Sequence, residues 1–76
     1  MNESIASLQR ILDSYDSIED KLCFLERAER QKYEYYYYCG SRFSQEEANE
    51  YHKTWNWMIG KLNYLKTKQI LVRAKK

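Results

Sequence analysis

Apolar side chains recur along this chain at alternating intervals of three and four, in three separate runs. The longest holds Ala48, Tyr51, Trp55, Met58, Leu62, Leu65, Gln69 and Val72, of which only Gln69 is polar. That spacing lays one stripe along a helix and gives it a coiled-coil-like seam. Ser44-Gln45-Glu46-Glu47 precedes it as a capping box, in which the Ser44 hydroxyl takes the Glu47 amide and the Glu47 carboxylate reaches back. Upstream, Ile18, Leu22, Leu25, Tyr33 and Tyr36 form a second face, ending at Cys39-Gly40, where Gly is expected to take the left-handed conformation that closes a helix. Ile5, Leu8, Leu12 and Tyr15 form a third, short stripe.

The pattern predicts helices over about 4–14, 17–38 and 44–74, in one domain spanning 1–76. Between the first two runs the seam slips by one residue at Ser14-Tyr15-Asp16-Ser17, where Asp16 with Glu19 can cap a fresh helix. No Gly or Pro forces a break there, so one kinked arm over 4–38, matched in length to 44–74, is the alternative. The secure turn is Cys39 to Phe43. The expected fold is all-α, an antiparallel helical hairpin with a short N-terminal helix or a continuous first arm.

Trp57, Tyr64 and Leu71 add a stripe with a period of seven, on the side opposite Trp55, Leu62 and Leu65. A single partner helix cannot cover both sides of the last helix. Either the N-terminal helix covers the second stripe, or the chain self-associates into a helical bundle as a homodimer, or another protein does so.

Size and composition narrow the setting. A chain of 76 residues has a small core, and proteins of this length commonly lean on a disulfide, a metal or a second subunit. Cys23 and Cys39, on one continuous helix, stand roughly 24 Å apart at about 1.5 Å per residue, too far to bridge. Two free thiols suggest a reducing compartment, and the expected location is cytoplasmic. The opening MNESIASLQRIL lacks the basic and apolar regions of a signal peptide, and no stretch has the run of apolar residues that a membrane span requires.

Charge is unevenly distributed. Residues 1–50 carry six basic and eleven acidic side chains, whereas residues 51–76 carry seven basic and none acidic. Lys66, Lys68, Arg73, Lys75 and Lys76, interleaved with Tyr64, invite contact with nucleic acid, since cations neutralise phosphates and aromatic rings stack on bases. Folding the chain near residue 41 answers most of this charge internally. Position i then faces about 82 − i, which brings Lys53 near Glu29, Lys61 near Lys21 and its neighbours Asp20 and Glu19, and Lys66 near Asp16.

The aromatic residues concentrate beside the turn: Tyr33, Tyr35, Tyr36, Tyr37 and Tyr38 before it, Phe43, Tyr51, Trp55 and Trp57 after it. Four consecutive tyrosines sweep roughly 300° around a helix, so they cannot all face one seam. Tyr36 and Trp55 are assigned to the core. Tyr35, Tyr38, Phe43, Trp57, Tyr64 and Leu71 are the candidate partner-binding residues, because rigid rings with polar tips bind much surface at little entropic cost.

Catalytic and metal chemistry find little support. One His and two Cys cannot supply a four-ligand zinc site, and neither a CxxC pair nor a Gly-rich phosphate loop occurs. Cys39 with His52 lacks a third, orienting group. No metal, cofactor or catalytic residue is expected. The function expected from sequence is non-enzymatic protein binding, as by a small inhibitor or accessory factor of a phage or mobile element that occludes its target. A small nucleic-acid-binding protein is the alternative.

Overall fold

The computed structural model describes residues 3–74, and Lys75 and Lys76 lie outside them. It contains three α-helices, α1 (Glu3–Ser14), α2 (Ile18–Cys39) and α3 (Gln45–Ala74), with a 3-10 turn at Gly40–Arg42. The described residues include no strand, and the fold is all-α.

Each boundary has a local cause. The end of α1 is tied off by three donors: the Ser14 hydroxyl to the Ile11 carbonyl (2.6 Å), the Tyr15 amide to the Leu12 carbonyl (3.1 Å) and the Lys21 ammonium to that same Leu12 oxygen. A cation there also suits the negative end of the helix dipole. Ser17, in extended conformation (φ −98°, ψ 152°), caps α2 by accepting the Asp20 amide at 3.0 Å. The break is therefore real, but the cap is Ser17 with Asp20 rather than Asp16 with Glu19. At α3 the capping box forms, with Glu47 N to Ser44 Oγ at 3.2 Å and Ser44 N to Glu47 Oε1 at 3.5 Å.

Gly40 departs from expectation. It is right-handed (φ −61°, ψ −30°), and its amide continues α2 by donating to the Tyr36 carbonyl. What requires glycine is space: a Cβ here would stand 3.2 Å from the Tyr36 ring. The chain turns through Gly40–Arg42, closed by the Phe43 amide on the Gly40 carbonyl (3.1 Å).

Leu12, Leu22, Leu25, Met58, Leu62 and Leu65 form the core, with Leu8, Ile18, Phe24, Ala28, Trp57 and Ile59 packed around it. The three-and-four spacing thus buries one stripe from each helix against the others, the main source of stability in a helical domain. α2 packs along α3, with Glu29 meeting Trp55 and Tyr36 meeting Tyr51, and α1 touches both. Trp55 was expected in the core, yet Thr54 takes the buried place (2% exposed) and Trp55 is half-buried. Met58 and Tyr51 are seven residues apart, so either position between them fits the spacing. Trp55 turns to α2, where its indole N–H donates to Glu29 Oε1 (3.2 Å), and the Thr54 hydroxyl donates to the Glu50 carbonyl (3.0 Å). A buried hydroxyl with a partner costs little.

Candidate partner-binding surface

The tyrosine run occupies the last two turns of α2 and divides by the helix period. Tyr36, expected in the core, is half-buried beside it: its ring stacks on Tyr51 (centroids 4.4 Å, 17°), meets the edge of Phe43 (5.7 Å) and lies tilted to His52 (5.5 Å). Burial raises the Tyr51 hydroxyl above its ordinary pKa, and the Glu29 carboxylate, Tyr36 and Tyr33 add to the effect. With the inner position filled, the neighbouring rings face solvent: Tyr33 and Tyr35 are each 56% exposed, Tyr37 73% and Tyr38 78%.

Of the candidate residues, Tyr35 and Phe43 come together (5.5 Å), whereas Tyr38, three residues further along α2, meets Tyr37 edge-on (5.1 Å). Tyr35 and Phe43 also wall a cleft of about 340 Å³ shared with Lys32, Glu46, Glu47 and Glu50. Apolar rings backed by acidic side chains suit a partner that presents an apolar anchor with a cationic rim.

Trp57, Tyr64 and Leu71 are not part of this surface. Trp57 is half-buried against the core, with the Lys61 ammonium 5.8 Å from its ring, so the chain covers much of it unaided. It lies only one residue, about 100°, from the buried Met58, which is why its side is not fully open. Tyr64 and Leu71 lie toward the opposite end of α3 and are exposed. Sequence reasoning missed Tyr33 and Tyr37 as surface residues, and also Ile70. Tyr33 had been placed on the inner face, and Val72 on the seam, where both are in fact exposed.

The basic candidates differ in surroundings. Lys68 stands 5.9 Å from the Tyr64 ring centroid, as does Lys61, which was not a candidate, whereas Lys66 and Arg73 are simply exposed. Two of the expected cross-helix pairs, Lys53 with Glu29 and Lys66 with Asp16, do not form. Lys53 pairs with Glu50 on its own helix (3.6 Å), Glu29 is taken by Trp55, and no ion pair joins Lys66 to Asp16. Long side chains on a helix surface reach their own i±3 neighbours as readily as those of a facing helix.

His52 packs on Tyr36 and Tyr51, and no hydrogen bond joins it to Cys39. Among the described residues no group of three or more His, Cys, Asp or Glu is placed to hold a metal, and no helix is long and apolar enough to cross a membrane. Comparison with protein families, with characterised proteins and with solved structures finds no match. The function is therefore read from the surface alone.

Proposed function

We propose that this chain is a non-enzymatic protein-binding module: an antiparallel helical hairpin of α2 and α3, braced by α1, that docks through its tyrosine-rich turn end. The observation that supports it is the excess of aromatic surface there. Tyr36 and Tyr51 meet the fold's own packing needs, while Tyr33, Tyr35, Tyr37 and Tyr38 are more than half exposed. Exposed rings of this kind on a small domain are a cost in solubility unless a partner covers them, and tyrosines are among the side chains that most often dominate binding energy. The module acts by occlusion. Tyr35, Tyr38 and Phe43 fill an apolar groove on the target, and Glu46, Glu47 and Glu50 set its orientation. The chain would then be a small inhibitor or accessory factor, such as a phage or mobile element carries.

The test pairs capture with folding. Tyr35→Ala with Tyr38→Ala removes two exposed rings, so helix content and melting temperature stay near wild type while capture of the cellular partner is lost. Retained capture in the double variant would sink the proposal. Trp57 is unsuitable for this test because it also packs on the core.

A second reading has its own observation: Tyr64, exposed and bracketed by Lys61 and Lys68, resembles a stacking ring flanked by phosphate-neutralising cations, with Lys66 and Arg73 nearby. Binding to single-stranded or duplex nucleic acid that falls steeply between low and moderate salt supports it. Absence of binding at low salt ends it.

A further inference from the structure

The end of the molecule away from the tyrosines carries an apolar surface of a different kind. From Ile70 to Ala74 every residue of α3 is exposed, and three of them in succession, Ile70, Leu71 and Val72, are large and apolar. The side chains that flank α3 here belong to the end of α1 and the start of α2: Gln9, Leu12, Asp13 and Lys21 line one recess with Tyr64, Leu65 and Lys68. Beyond that level α3 runs on alone for a turn and a half.

We propose that this protruding end of α3 docks on a second copy of the chain. Three consecutive helical positions span about 200°, wider than the stripe a single facing helix covers, so the occupant must present two surfaces at once. Another copy meeting end to end does so. Its own protruding α3 lies antiparallel beside the first, and its α1–α2 corner receives the tip. The charges agree with that register. The protruding end carries Arg73, whereas the corner carries Asp13, Asp16 and Asp20. Among the described residues no ion pair involves any of these four. Within one copy the helix carries Arg73 past the corner; in the pair each tip reaches the corner of its mate. The arrangement is isologous and closes as a two-fold dimer. It leaves the tyrosine surfaces at the two far ends, so it stands or falls separately from the target-binding proposal.

A contact made by a turn and a half of helix and a corner is expected to fall below the roughly 800 Å² per partner of a standard complex, so the dimer is expected to be weak. Sedimentation equilibrium of the full chain, free of nucleic acid, from about 5 µM to 1 mM at low salt, should show the mass rising from monomer to dimer. Leu71→Glu, at an exposed position, should weaken the dimer at least about tenfold with helix content unchanged. Arg73→Glu alone and Asp16→Lys with Asp20→Lys should each weaken it several-fold, and an equimolar mixture of these two variants should recover it as a heterodimer. A monomer throughout the range overturns the proposal, as does a dimer indifferent to Leu71→Glu, a mixture that fails to recover, or a dimer abolished by Tyr38→Ala.

Discussion

Replacing Leu25 by Ala tests the packing on which the rest depends. Leu25 is fully buried (0% exposed) in the cluster with Leu22, Met58 and Leu62. The change removes three carbon groups at about 0.8 kcal/mol each. The cavity left behind adds to that, and Leu→Ala changes in well-packed cores cost about 2.7–5.0 kcal/mol in total. A cost of about 3–4 kcal/mol is expected here, against about 4–11 kcal/mol for a whole domain of this length. The melting temperature should fall by about 12–32 °C at about 4–8 °C per kcal/mol. The control is Leu71→Ala, a leucine removed from an exposed position (57%) on α3, which should change monomer stability by less than about 0.5 kcal/mol. Urea titrations followed by far-UV circular dichroism at low micromolar protein measure both. If Leu25→Ala costs less than about 1 kcal/mol, or if the two variants lose equally, α2 and α3 do not pack as described.

The two glycines give opposite expectations for the same substitution. Gly60 is helical with nothing within 4 Å of a built Cβ, so Gly60→Ala should stabilise by about 0.5–1 kcal/mol, whereas Gly40→Ala should destabilise because Tyr36, held between Tyr51 and Phe43, stands 3.2 Å away. In a Tyr36→Ala background the Gly40 change should turn neutral or favourable, and a double-mutant thermal-melt cycle checks this. Ser17→Ala should cost about 1 kcal/mol through loss of the cap on α2, read as a shift in urea midpoint without a change in slope. Because folding raises the Tyr51 pKa above 10.0, its contribution is complete below pH 10 and is lost as pH climbs through the folded value. Tyr51→Phe should therefore show a shallower alkaline fall in melting temperature between about pH 9 and 11.5 than wild type.

Much of the fold was legible because its signals are local. The Ser44–Glu47 box, the three apolar stripes and the break after Ser14 all depend on residues within one or two turns of each other. The failures share a cause, which is that the deciding partner lies elsewhere in the chain. Thr54 or Trp55 satisfies the seam equally well, and only Glu29 on α2 claims the indole. Gly40 looked like a backbone requirement, whereas the constraint is the ring of Tyr36 one turn earlier. Folding the chain at residue 41 brought opposite charges to the same level but could not say that Lys53 would turn to Glu50. For the surface, four consecutive tyrosines guaranteed that some would be exposed, and the inward place of Tyr36 determined which. Tyr64 and Leu71 were rightly placed away from the seam, but not at the far end of the molecule from Tyr38.

Both indoles sit on α3, and one of them is fastened to α2 by its N–H. When α2 separates from α3, Trp55 exchanges the Glu29 carboxylate for water and Trp57 loses its apolar neighbours, so the emission of both should move to longer wavelength. Excitation passed from the tyrosines to the indoles should fall at the same time as the rings draw apart. The protein thus carries its own optical gauge for opening of the α2–α3 interface, with no label attached, while the solvent-facing tyrosines near the turn remain free to report on whatever covers them.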